Sequence, residues 1–335
     1  MKRPPVSETK LLICIWHKFS LWNPPPEFAE CVRRRWPEMR VAQLPSFEGI
    51  DREILDSDIF VGFSLRPEQF VLAHKLKWIH STAAAVGQLM YPELRQSGIE
   101  LTNVRGIHRE AMAEHVLGLL VALARRFPNC LRYQQKSHWA QQELWDAPVR
   151  PREMRGQVVL FIGFGAVGRE AARIIQPLGM HVWAVTRSGT AAPDLAEKVI
   201  PASKLHEALP HADFIVLAAP ETPETLRIIG TPEFALMKPS AYLVNVARGS
   251  LVDETALVAT LQRRAIAGAA LDVTAEEPLP AESPLWNFEN VMITPHVSAV
   301  TEHLWERQTY LLMENLDRWF SGRELLNRVD LARGY

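Results

Sequence analysis

Arg248, Glu277 and His296 each stand just past the end of a short apolar run in the C-terminal half of the chain. The runs are Tyr242–Val246, Gly268–Asp272 and Val291–Ile293. They read as buried parallel strands, and ligands of open α/β sheets sit at the carboxyl ends of such strands. All three side chains are therefore expected to face one crevice. Their chemistry suits the interconversion of a ketone and a secondary alcohol. A hydride arriving at a keto carbon creates an alkoxide, and an imidazolium can supply the proton it needs. A carboxylate beside the imidazole favours the protonated ring and fixes its orientation. The planar fork of an arginine can hold a substrate carboxylate and polarise the neighbouring carbonyl. No step calls for a metal. Taken singly, each residue also has a plain structural reading, as a loop histidine, an Arg-Gly turn and an acidic surface pair.

The hydride needs a carrier, and a second motif offers a place for one. Val158–Ile162 is followed by Gly163-Phe164-Gly165-Ala166-Val167-Gly168, a G-x-G-x-x-G between an apolar strand and a helical pattern. In this setting Gly163 permits the tight turn, Gly165 lets backbone approach a pyrophosphate, and Gly168 lets helix and strand pack closely. The helix start then presents unpaired N–H groups to the phosphates. An acidic residue for the ribose hydroxyl is expected at the end of the next strand. The chain instead has Thr186-Arg187-Ser188 there. A guanidinium with two hydroxyls suits a 2′-phosphate, so NADP(H) is the preferred cofactor and NAD(H) the alternative.

These residues need a scaffold of interleaved strands and helices. From Val158 onward six apolar runs read as strands: Val158–Ile162, His181–Thr186, Phe214–Ala218, Tyr242–Val246, Gly268–Asp272 and Val291–Ile293. Helical patterns at Ala166–Leu178, Ser203–Leu209 and Glu254–Arg263 separate most of them. This is the make-up of a Rossmann-type, doubly wound parallel sheet in an α/β protein. The first third is also α/β, with strands read at Leu11–Trp16, Ile59–Gly62, Trp78–Ser81 and Ile99–Asn103. Between the two halves, Ala111–Ala124 is apolar on nearly every face, which requires burial all round in a core or against a second subunit. Pro128–Arg155 reads as a polar connecting excursion, and Glu302–Trp319 as a last amphipathic helix.

Composition narrows the function classes. Of 335 residues, 47% are hydrophobic and 22% charged, and the net charge is −1. No overall field draws this chain to nucleic acid or an acidic membrane. The three cysteines form no close pair, which argues against structural zinc and suits a reducing compartment. The apolar run at Leu11–Trp16 is cut short by His17-Lys18, unlike a signal peptide. A soluble cytoplasmic enzyme acting on a small molecule is the expectation.

Taken together, the segments resemble the D-isomer-specific 2-hydroxyacid dehydrogenases, the family of glyoxylate, hydroxypyruvate and phosphoglycerate reductases. The match runs through Ala113-Glu114, Gly163 to Gly168, Pro220-Glu221-Thr222-Pro223-Glu224-Thr225 and Asn245-Val246-Ala247-Arg248-Gly249. It continues through Ala270-Leu271-Asp272-Val273, Glu277-Pro278 and Thr294-Pro295-His296. The resemblance puts Arg248, Glu277 and His296 at the catalytic positions. It implies a smaller, flavodoxin-like substrate domain from 1–107 and 299–335, a cofactor domain at 108–298, and a homodimer formed through the latter. It implies that Asp272 meets the nicotinamide carboxamide, that Met112 abuts the ring, and that Pro220 and Val246 line the dinucleotide. Ala166 and Val167 would cap its phosphates, and the Ala84 and Ala85 amides would bind the substrate carboxylate. The chain departs from the family at Ser81-Thr82-Ala83-Ala84-Ala85-Val86-Gly87, where Gly-Ala-Gly-Val-Asp is usual, and at Ser298, where glycine is frequent. These departures bear on which acid is used. A dinucleotide-sensing corepressor module built on the same fold is the alternative that the sequence leaves open.

Overall fold

A computed structural model describes residues 3–190 and 195–334. The chain divides into two compact units, Met1–Ile107 with Thr301–Tyr335, and His108–Val300.

The first unit is built on β1 (Lys10–Cys14), β2 (Arg40–Leu44), β3 (Ile59–Val61), β4 (Trp78–His80) and β5 (Glu100–Thr102). They form one parallel sheet in the order β2-β1-β3-β4-β5, the flavodoxin-like arrangement. β1 is buried along its whole length because side chains alternate between two covered faces. Leu11 and Ile13 pack with Phe28, Trp78, Leu312 and Trp319, whereas Leu12 and Cys14 pack with Ile54, Phe60 and Ile79. Helix Leu304–Phe320 covers the first face, with Trp319 stacked on Trp78 at 5.5 Å between ring centres.

β4 ends in a fully enclosed histidine. Thr102 Oγ1 accepts from Trp78 Nε1 at 2.9 Å and lies 2.9 Å from His80 Nδ1. The ring thus has one hydrogen-bond partner, and its Nε2 is buried without one. Burial pushes the His80 pKa down to about 3. An unfolded histidine takes up its proton near pH ~6.5. Between these values the unfolded chain binds the extra proton, so stability falls as pH drops through that window. The slope approaches about 1.4 kcal/mol per pH unit. Urea unfolding near neutrality and about two units lower is expected to show this loss, and His80→Asn to shrink it. A loss of equal size in the variant would remove His80 as its source.

The second unit carries seven parallel strands: β6 (Val158–Ile162), β7 (His181–Thr186), β8 (Lys198–Pro201), β9 (Phe214–Leu217), β10 (Tyr242–Asn245), β11 (Gly268–Leu271) and β12 (Val291–Ile293). Their order is β12-β11-β10-β9-β6-β7-β8. Counted from β6, this is the doubly wound 3-2-1-4-5-6 order with one further strand outside it. The order reverses between β6 and β9, which opens the crevice at their carboxyl ends.

Two strands, β2 and β8, are absent from the sequence reading. Each is the outermost of its sheet, with alternating or partial burial instead of an apolar run. Helix Arg109–Ala124 is covered by its own chain on one side. Val116, Leu119, Leu120 and Leu123 enter the core beside Val159 and Phe161, but Glu114, Leu117, Gly118 and Val121 are left partly or fully exposed. Within one chain the helix is thus not buried all round. The expected polar excursion contains two helices, Phe127–Gln135 and Gln141–Asp146.

Candidate active site

The glycine turn closes on its neighbours. Gly163 has φ +92°, and a Cβ there would fall 2.5 Å from Ala219 Cα and N. The turn at the end of β6 and the segment after β9 therefore touch backbone to backbone. A Cβ at Gly168 would meet Gly163 O at 2.8 Å, whereas one at Gly165 would meet nothing within 4 Å. Open space thus lies before the N-terminus of helix Ala166–Ile175, and a side chain there would fill it. A pyrophosphate fits this cradle: open space, a glycine that does not intrude, and the first amides of a helix.

At the end of β7, Arg187 and Ser188 are exposed and Thr186 is half-buried. Thr186 Oγ1 donates to Thr190 O at 3.1 Å, and the Ser188 and Thr190 hydroxyls lie 2.6 Å apart. Arg187 acts on Glu224: a hydrogen bond from Thr222 chiefly, and the arginine charge as well, hold that carboxyl below its usual range. Pro220 is exposed after β9, its carbonyl accepting from Thr225 Oγ1 at 2.7 Å. Val246 is buried.

The three residues singled out for chemistry converge around Glu277. His296 Nδ1 lies 2.6 Å from Glu277 Oε2, and Thr274 N donates to Glu277 Oε1 at 3.1 Å. Burial raises the Glu277 pKa, but His296, Thr274 and the charge of Arg248 together carry it below the ordinary carboxylate value. Burial in turn lowers Arg248, against the charges of Glu277 and Glu221. The glutamate is thus bonded to the histidine and coupled electrostatically to the arginine. His296 Nε2 is the ring nitrogen with no protein partner among the described residues, and the side chain is 42% exposed.

Two backbone devices set this geometry. Asn245, buried at the end of β10, accepts from Ala247 N at 3.0 Å and donates to Arg248 O at 2.8 Å. It clamps the turn that carries Arg248. Gly249 follows, and a Cβ there would lie 1.9 Å from Thr274 O. Only a glycine lets the Arg248 turn pack against the loop that carries Glu277. Neither role was assigned from sequence. A buried Asn at the end of an apolar strand was the available signal, since such a polar group must find partners.

Asp272, for which the resemblance implies a contact with the nicotinamide carboxamide, is also hydrogen-bonded within its own unit. Its side chain is closed to solvent. Oδ1 accepts from Thr294 Oγ1 at 2.6 Å and from Val297 N at 3.0 Å, and Oδ2 accepts from Ser298 N at 3.0 Å. Burial raises its pKa, but these bonds carry it below the ordinary value. In this structure the carboxylate secures the loop that bears His296. Ser298 takes part through its side chain as well as its backbone amide. Met112 is partly buried and packs against the core.

Ala84 and Ala85 belong to the first unit, Ala84 exposed and Ala85 half-buried. Asn103 Nδ2 donates to Ala84 O at 2.7 Å. The alanines adopt no positive φ, so this loop follows a path open to any residue. Among the described residues no group of three or more His, Cys, Asp or Glu is placed to hold a metal, and no helix is long and apolar enough to cross a membrane.

Comparison with known proteins agrees with this architecture. The family model for the D-isomer specific 2-hydroxyacid dehydrogenase NAD binding domain matches residues 117–298. A glyoxylate reductase of Thermococcus gammatolerans is 33% identical over 294 residues, covering 86% of each chain. One from Pyrococcus furiosus is 32% identical over 288 residues, covering 84% of each. Among solved structures, a D-isomer specific 2-hydroxyacid dehydrogenase from Xanthobacter autotrophicus in complex with NADPH and MES superposes with a TM-score of 0.83. It is 26% identical, with 98% of this chain and all of that one covered.

Proposed function

The chain belongs to the D-isomer specific 2-hydroxyacid dehydrogenase family, and on that premise we propose that it is an NADPH-preferring reductase of small 2-keto acids such as glyoxylate and hydroxypyruvate. It is an oxidoreductase that uses a nicotinamide dinucleotide. When bound, that dinucleotide supplies or accepts the hydride at C2. Arg248 holds the substrate carboxylate with its forked donors. His296 passes a proton between Nε2 and the C2 oxygen, while Glu277 keeps Nδ1 engaged and stabilises the charged ring. The observation that carries this reading is the 2.6 Å contact of His296 Nδ1 with Glu277, which leaves Nε2 as the nitrogen available to substrate.

Gly163, Gly165 and Gly168, with the amides of Ala166 and Val167, are proposed to cradle the pyrophosphate. Pro220 and Val246 are proposed to line the dinucleotide. Arg187, helped by the Thr186 and Ser188 hydroxyls, is proposed to take the 2′-phosphate. The partly exposed strip at Leu117, Gly118 and Val121 supports a homodimer through the cofactor unit, because such apolar surface is otherwise left in water. The cysteine content supports a cytoplasmic setting.

The cofactor assignment is tested by Arg187→Ala. A charge-assisted contact of ~1.5–3 kcal/mol corresponds to a loss of roughly 10- to 100-fold in kcat/KM for NADPH. Turnover with NADH should stay within about twofold, because no 2′-phosphate is present to feel the change. Equal losses with both cofactors would assign Arg187 a structural part instead.

A further inference from the structure

His115 lies in the second turn of helix Arg109–Ala124, and none of the roles above involves it. Its side chain is largely enclosed, 21% exposed. Nε2 lies 3.0 Å from Thr294 Oγ1 and 3.6 Å from Asp272 Oδ1. The direction of the first contact follows from the second partner of the threonine. A hydroxyl has one proton, and Thr294 spends it on Asp272 Oδ1 at 2.6 Å. The hydroxyl must therefore accept from His115, which fixes the imidazole proton on Nε2.

The same carboxylate holds the backbone on which His296 rides. It accepts from Val297 N and Ser298 N, while Asp272 O accepts from His296 N at 2.8 Å. That hold is needed, because His296 has φ +53°. A non-glycine residue in this left-handed region is strained and persists only where its surroundings over-determine it. His115 thus donates to Thr294 and Thr294 to Asp272, and Asp272 accepts from the amides of the strained residue and of the two residues after it.

We infer that His115 is a positioning residue for His296, acting through the Thr294 hydroxyl and the Asp272 carboxylate. Its Nε2–H fixes the rotamer of Thr294, which fixes the carboxylate, which fixes the loop. The helix that carries His115 is thereby tied to the loop after β12. Burial lowers the His115 pKa against the opposing charge of Asp272, in keeping with a neutral Nε2–H ring. The inference rests on His296 being the proton carrier proposed above.

Two variants and two readouts test it. His115→Leu removes the donor, and His115→Gln returns an N–H in a similar place. A displacement on the order of 1 Å costs roughly 100-fold in rate, so His115→Leu is expected to lower kcat by about 10- to 100-fold. NADPH affinity should stay unchanged, and His115→Gln should return kcat to within about threefold of wild type. The second readout is the ring resonance of His296 by NMR in the dinucleotide-free protein, assigned by its loss in His296→Ala. It should move in the Leu variant and stay in place in the Gln variant. Wild-type kcat in both variants, or equal losses in both with a common drop in Tm, would overturn the inference. If the wild-type protein reduces no keto acid, the functional reading fails, and the resonance alone then decides whether His115 positions His296.

Discussion

His296→Ala is expected to lower kcat for reduction of glyoxylate or hydroxypyruvate by ~10²- to 10⁴-fold, the usual contribution of a positioned acid or base. NADPH binding should be unchanged within error. The two expectations come from different parts of the second unit. The cradle for the phosphates is formed at the end of β6, by the Gly163 turn against Ala219 and the open space at Gly165. The proton carrier sits after β12, bonded through Nδ1 to Glu277. Removing the ring deletes the group at the substrate oxygen and leaves the β6 end untouched. Because an interaction needed only for proton transfer is lost, the fall belongs in kcat as well as kcat/KM. Stopped-flow hydride transfer with titration of NADPH fluorescence separates the two effects. Turnover within about threefold of wild type would remove the histidine from the reaction.

Gly249→Ala carries the second largest expectation, although residue 249 is given no chemistry. The added methyl would lie 1.9 Å from Thr274 O and 2.4 Å from Ala275 N. These are backbone atoms of the loop that ends in Glu277, so no flexible side chain can yield. Either the Arg248 turn or the Glu277 loop must shift. The separation between the arginine and the Glu277–His296 pair then changes, at a cost of roughly 100-fold in kcat/KM for the keto acid. Overpacking of this kind also destabilises by about 1–3 kcal/mol. The check is kcat/KM with Tm measured on the same preparation. Unaltered kinetics would mean that the Arg248 turn is not held by its contact with the Thr274 backbone.

What was legible in the sequence was whatever packing writes as a pattern. The central strands β1, β6, β9 and β10 read as continuous apolar runs because both of their faces are covered. The glycine turn was readable because its spacing is dictated by strand, phosphate and helix together. Strands β2 and β8 were not, since neither contains a fully buried residue and neither needs an apolar run. For Arg109–Ala124 the sequence left open whether the chain's own core or a second subunit covers each face. An apolar helix shows its hydrophobicity in sequence, but which face the chain itself covers depends on neighbours.

Around the candidate site the division is similar. Arg248, Glu277 and His296 could be named from residue type and from their places after strands. What holds them could not. Asn245, Gly249, Thr294 and His115 work through backbone contacts and single hydrogen bonds between segments far apart in the chain. Asp272 has in addition a structural part that its residue type does not announce. Its oxygens are engaged with Thr294, Val297 and Ser298, a partner set set by the local loop.

A crystal structure of the protein with NADP⁺ and oxamate, an unreactive analogue of a small 2-keto acid, measures the geometry of the proposed reaction directly. The prediction is a carboxylate forked on the Arg248 guanidinium, with His296 Nε2 within about 2.6–3.2 Å of the neighbouring carbonyl oxygen. Oxamate bound away from Arg248, or a histidine whose Nε2 points elsewhere while the analogue is in place, would contradict it.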